Sequence, residues 1–171
     1  NTGYFEHKDN RLAEQFDQFL EDIPDDVSVF TATQIARLVE SGDIGCYGCA
    51  TWNGLRVPPD TRGHLDVSEL VGIARDVGGD DHHFRIVQLP VNLAMSEAVR
   101  VPTQRLGTRR VVPLLQATTE LGIAVVASAT LMQSRLTTAL PDAVRDTFPT
   151  LTTDAQRAIA FVRSLPGVDC A

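Results

Sequence analysis

Gln88 lies inside an apolar run, Phe84–Val91 (FRIVQLPV). An amide there needs a partner, because a buried polar group without one is costly. A carboxamide both donates and accepts, so Gln88 suits recognition of another amide, or a structural hydrogen bond across an interior. A second run, Ile44–Thr51 (IGCYGCAT), leads straight into Trp52-Asn53-Gly54-Leu55-Arg56. Trp52 can stack on a ring and Arg56 can bind an anion. The same five residues also suit a loop anchored by a half-buried indole. A third run, Ile123–Thr130 (IAVVASAT), leads into Leu131-Met132-Gln133-Ser134-Arg135-Leu136. Ser134 and backbone amides there suit phosphate oxygens, with Arg135 supplying charge; a solvated loop is the other reading.

Other motifs carry less. Cys46-Tyr47-Gly48-Cys49 has redox or zinc spacing, but residues three apart in a strand face opposite ways, so buried thiols are expected. His82-His83 follows Asp80-Asp81. Adjacent side chains point apart and no third ligand follows at helical spacing, so a polar loop and no metal site is expected. His64 lies in a long loop near the expected site. Gly42–Gly48 is glycine-rich but enters a strand instead of leaving one, which is unlike a phosphate loop.

The elements that position these residues follow from periodicity. The three apolar runs are centred about 41 and about 39 residues apart, too far for hairpins, and helical patterns fill the gaps. That is the pattern of βαβ units and a parallel sheet. Asp66 and Glu69 open one helix, with Leu70, Ile73 and Ala74 as its inner stripe and Gly78-Gly79 as its end. A second helix is expected over about 109–120, regular from about Val112, with Leu114, Leu115, Thr118 and Leu121 inward and Gly122 as the stop. A third spans about 154–164, opened by a Thr153/Gln156 capping box, with Ile159, Phe161 and Val162 on its apolar side. Two more helical stretches, about 9–22 and 30–41, precede the first strand. In Phe84–Asn92, Val87, Leu89 and Val91 form one face; Ile86, Gln88, Pro90 and Asn92 form the other. The strand-to-helix connections, 52–65, 92–108 and 131–153, are long and share the carboxyl side of the sheet, where such folds place their sites.

Length fits one domain of 171 residues, with 1–29 as a helical segment of open assignment. The chain holds about half of a (β/α)₈ barrel, or else a small open α/β sheet. Fifteen Lys and Arg against 22 Asp and Glu leave a net charge of −7, which argues against nucleic acid or an anionic membrane as partner. No stretch of about 18 apolar residues is present. Three cysteines form no disulfide framework, so reduced thiols in a cytoplasmic protein are expected. The chain starts at Asn1 without a signal peptide and ends on Leu165–Ala171, which resembles the start of an element; both suggest a piece of a longer polypeptide.

Four segments, in order, resemble the aldo/keto reductase family. They are Ala36–Gly48 (ARLVESGDIGCYG), Phe84–Asn92 (FRIVQLPVN), Glu120–Leu131 (ELGIAVVASATL), and Thr153–Ile159 (TDAQRAI) leading to Leu165–Val168 (LPGV). The resemblance covers about residues 30–168 and implies the second half of a (β/α)₈ TIM barrel, strands 5 to 7 and the start of 8. It also implies an oxidoreductase that uses NADP(H) to reduce aldehydes and ketones. Gln88 then matches the glutamine that binds the nicotinamide carboxamide. Ala50 and Thr51 fall where the family usually has Ser-Asn, and Thr51 can still supply one hydrogen bond. Ser128 falls where an aromatic usually stacks on the nicotinamide, and Ala129, Leu131 and Gln133 fall on the pyrophosphate-holding stretch. Trp52, Arg56 and the 92–108 loop would shape the mouth for a small carbonyl substrate. The family's catalytic Asp, Tyr, Lys and His belong to the first four strands; Tyr4 and His7 do not fall on that motif, so no catalytic residue is assigned. The chain alone is expected to be inactive. The competing reading is a non-catalytic half-barrel that pairs with itself or another subunit through open edges. A flavodoxin-like enzyme is a third, without its phosphate loop.

Overall fold

The computed structural model describes residues 37–171. The stretch expected at 9–22 lies outside them, and so does most of 30–41; residues 37–40 are helical and Gly42 ends the turn at a φ of 77°. Three strands form one parallel sheet: β1 (Tyr47–Ala50), β2 (Phe84–Pro90) and, further on, β5 (Ala124–Ser128). Their spatial order β1-β2-β5 follows the chain, and both pairings are parallel. The protein is thus α/β with a small parallel sheet, as the run spacing predicts.

Between β1 and β2 lies α1 (Val67–Gly78). The Asp66 side chain accepts from Ser68 N–H, and Gly79 at φ 71° ends the helix. Its inner stripe differs from the expected one. Val67, Val71 and Ala74 are buried, Leu70 packs partly, and Ile73 faces solvent at 39% exposure.

The connection from β2 to β5 is a second departure. It holds a short helix, α2 (Glu97–Arg100), and an antiparallel hairpin of β3 (Pro102–Leu106) and β4 (Arg110–Pro113). Only then does α3 (Leu114–Leu121) begin. The helix expected over about 109–120, regular from about Val112, therefore starts at Leu114. Gly107 at φ 62° turns the hairpin, and Pro113, which lacks an N–H, sits at the helix entrance where none is needed. Gly122 caps α3 in the left-handed region, as expected.

After β5 come α4 (Asp142–Thr147), in what reads as loop, and α5 (Asp154–Arg163), with the complete Thr153/Gln156 capping box. Asp154 accepts from Leu140 N–H and pairs with Arg145 and Arg157, and these partners hold its pKa below the usual carboxylate value. Beyond α5 the chain returns beside β5: Ala127 N–H donates to Cys170 O at 2.7 Å, with Val126 and Cys170 bridged in parallel.

One continuous core joins these elements. Val87, Leu89, Val91, Val125 and Ala127 from the sheet meet Val71, Ala74, Leu114, Leu115 and Val162 from α1, α3 and α5, all nearly or fully buried. The other sheet face carries the rows Gly48–Ile86–Ala124 and Ala50–Gln88–Val126, which are half-buried or exposed. Pro90 and Asn92, expected on that face with Gln88, are buried. Cys49 packs partly against the core, and burial pushes its thiol pKa up. Cys46 is exposed, contrary to the expected buried thiol, because β1 begins only at Tyr47.

A Cβ on Gly48 would lie 2.0 Å from the backbone oxygen of Ile86, so Gly48→Ala forces β1 from β2. A loss of about 1–3 kcal/mol in chemical denaturation is expected; no loss would contradict this close approach. At the amino end of β2, His82 is buried, and its Nδ1 accepts from Phe84 N–H at 3.1 Å and faces Arg85 Nη1 at 3.4 Å. Burial, then the Arg85 and Arg75 charges, lower its pKa. The folded protein thus binds fewer protons here than the unfolded chain. This stability is complete above pH about 6.5 and is lost as pH falls from there through the folded-state pKa. His82→Asn keeps an acceptor for Phe84 N–H without the titration, and melting curves should show a weaker acid dependence below pH 6.5.

Candidate functional site

The carboxyl ends of β1, β2 and β5 lie side by side, and the expected residues divide among them. Gln88 is exposed in the middle of the open face, between Ala50 and Val126. Among the described residues its side chain makes no hydrogen bond. Thr51 extends β1 by donating its N–H to Gln88 O at 2.9 Å. Its hydroxyl accepts from Gly54 N–H at 2.9 Å and keeps its own proton for a second partner. Ser128 ends β5 opposite Pro90 and is half-buried. Thr51, Gln88 and Ser128 therefore come from three neighbouring strands. Leu131 and Gln133 lie in the turn beyond Ser128, half-buried and exposed respectively.

That turn is left-handed without glycine. Ala129, Met132, Gln133 and Ser134 have φ of 52°, 47°, 52° and 69°. L-residues are disfavoured there, and such positions gather where surrounding structure imposes them. Arg135 next to them is exposed.

The segment after β1 is held tightly. Arg56 is only 7% exposed. Its Nε donates to Trp52 O at 3.0 Å, Nη2 to Asn53 Oδ1 at 3.0 Å, and Nη1 to Glu97 Oε2 at 2.9 Å. The guanidinium is thereby occupied as a clamp between loops, and its charge faces a carboxylate already present. Trp52 is 41% exposed, so the clamp fixes its backbone while the indole meets solvent.

Beneath, the β3–β4 hairpin braces the same loop. Gln104 is fully buried; its Nε2 donates to Leu55 O at 3.0 Å and Leu65 O at 3.2 Å, and its Oε1 accepts from Val67 N–H at 2.8 Å. Asp66 Oδ2 accepts from Arg105 N–H at 2.8 Å. His64 Nε2 meets Thr103 O at 2.7 Å, and since a carbonyl only accepts, Nε2 carries the proton. His64 is thus a strut of the loop. His83 Nδ1 likewise meets Gly45 O at 2.8 Å. Among the described residues, no group of His, Cys, Asp and Glu is placed to hold a metal ion.

Three residues given no site role by the sequence build this rim: Asn92, expected only on the Gln88 face of β2, and Glu97 and Gln104. Asn92 is fully buried, and its Nδ2 donates to Ala129 O at 2.9 Å. It joins the loop after β2 to the turn after β5, as Arg56 and Glu97 join the loops after β1 and β2. A hint lay in an Asn just past a strand, a favoured turn former. Glu97 stands 41 positions from Arg56 and leaves no pattern in the sequence. No helix among the described residues is long and apolar enough to cross a membrane. A scan against protein-family models finds no match, and no curated protein matches the chain.

Glu97→Ala leaves the buried guanidinium without its carboxylate. Glu97 is 42% exposed, so a cost of about 1–2 kcal/mol is expected, between that of surface and buried pairs. Trp52 is the sole tryptophan, so its emission should change with the same variant. Emission and stability both unchanged would mean that the clamp does not hold the loop.

Proposed function

We propose that this chain is the cofactor-cradling part of an NADPH-dependent reductase of aldehydes and ketones, built on one sector of a (β/α)₈ barrel. The observation that carries this reading is Gln88: an exposed carboxamide at the centre of the parallel sheet, unpartnered among the described residues, between Ala50 and Val126 on the face opposite α1 and α3. Its donor and acceptor fit the carboxamide of a nicotinamide ring. Thr51, next after Ala50 at the end of β1, would offer one hydroxyl donor at the same rim, and Ser128 ends β5 two positions beyond Val126, the β5 neighbour of Gln88. Leu131 and Gln133 would border the pyrophosphate, with backbone N–H groups of the left-handed turn as anion donors. Trp52 would form part of the substrate mouth; Arg56 would shape that mouth by fixing the loop, its charge being matched by Glu97.

When bound, the cofactor supplies a hydride to the carbonyl carbon. The developing alkoxide needs a proton donor, and the described residues place none on the open face. Cofactor and substrate are therefore oriented here, and the proton comes from elsewhere in the barrel. A strand order that follows the chain, with one face left open, supports the barrel reading.

Calorimetric titration with NADPH tests this. Binding is expected, and Gln88→Ala should weaken it roughly tenfold, the effect of one or two neutral hydrogen bonds. No binding by the unsubstituted chain would overturn the reading. Carbonyl turnover by the chain alone would overturn the expectation that the chain alone is inactive.

The half-buried Ile86, Ala124 and Val126 on the open face favour a second reading, a scaffold that pairs with itself or another chain. Light scattering that shows a monomer without NADPH affinity would remove both.

A further inference from the structure

We propose that Asn92 is a positioning residue that sets the left-handed turn after β5 in the shape that receives a dinucleotide pyrophosphate. This rests on the reading of the rim as a cofactor cradle. Asn92 uses its amide at both ends. Oδ1 accepts from Ala94 N–H at 2.9 Å and Met95 N–H at 2.8 Å, a local turn that an aspartate would serve equally. Only Nδ2 requires asparagine, and its partner is Ala129 O, 37 positions away.

That carbonyl is the hinge of the turn. It also accepts from Met132 N–H at 2.8 Å, so both of its lone pairs are filled, one from within the turn and one from the neighbouring loop. Ala129 itself is the first left-handed residue, and Met132, Gln133 and Ser134 follow in the same region. An alanine adopts that conformation only against its own steric preference, so something outside the turn must hold it. Asn92 is fully buried and ordered by its own two Oδ1 bonds, which makes it a fixed donor. Successive backbone N–H groups in such a turn form a concavity for anions, and exposed Arg135 adds charge beside it.

Asn92 acts through the φ of Ala129. Glycine takes a positive φ without steric cost. Ala129→Gly should therefore restore the turn when Asn92 is replaced. The test uses the full chain, Asn92→Ala, and Asn92→Ala combined with Ala129→Gly. One readout is hydrogen exchange at Met132, Arg135 and Leu136, whose amides bond within the turn. The other is NADPH affinity by calorimetry. Asn92→Ala should speed exchange at these amides and weaken NADPH, each about tenfold, equivalent to one lost hydrogen bond. Exchange in the β3–β4 hairpin should not change. The double variant should recover both to within about threefold. An Asn92→Ala protein with normal exchange and affinity overturns the proposal. So does a loss that glycine at 129 does not restore, since Asn92 would then act by general packing. Failure of the unsubstituted chain to bind NADPH is a different result: it overturns the cradle reading, and this proposal with it.

Discussion

Each crossover from one parallel strand to the next has a hand, and that hand is right in nearly all cases. When strands neighbour one another in chain order, every crossover steps the same way along the sheet, and every connecting helix must fall on the same face. β1, β2 and β5 obey this order, and the chain after α5 continues it by returning beside β5 at Cys170. The burial pattern follows. Val87, Leu89, Val125 and Ala127 lie under α1 and α3, while Gly48, Ala50 and Gln88 on the reverse are exposed. A doubly wound sheet would reverse its order and cover both faces. Among the described residues, the face opposite α1 and α3 is exposed at Gly48, Ala50 and Gln88 and half-buried at Ile86, Ala124 and Val126.

The same constraint places all long connections at one end, where their backbone groups must find partners away from the sheet. Side chains supply them. Gln104 reaches back 49 positions to Leu55, Arg56 forward 41 to Glu97, and Asn92 forward 37 to Ala129. Each bond joins two loops that the sheet alone does not fix relative to each other. A buried polar group that is fully satisfied rigidifies its surroundings, whereas one left short is costly. These three therefore make the rim one object, and a rim that is already ordered loses less entropy when it takes a ligand.

The strands, α1, the Gly122 stop and the capping box of α5 were legible because each rests on neighbours within one or two turns of chain. The hairpin at 102–113 was not. Val111-Val112-Pro113-Leu114-Leu115 reads equally as the start of a helix, and the deciding turn at Gly107 is a single residue. The inner stripe of α1 was misplaced toward Ile73, since the face a helix buries is chosen by its tertiary neighbours. Arg56 was read as an available cation because its partner lies beyond any periodic pattern. The left-handed turn after β5 escaped for a further reason: such geometry is expected at glycine, and none occurs from 123 to 166.

Two glutamines show where structural and functional readings part. Gln104 is buried, and both ends of its amide are occupied by backbone groups of the β1 loop and α1. Removing it would leave those groups short, so folding accounts for its identity. Gln88 occupies a central strand, where β-branched residues fit best, yet its amide is exposed and unpartnered among the described residues. Valine there would pair with β1 and β5 as well or better, so no contact of the fold requires an amide. Local choices that depart from what the fold prefers, without a compensating bond, are expected at functional positions. The Gln88 amide is therefore left with one donor group and one acceptor facing away from the core, where the fold itself makes no use of them among the described residues.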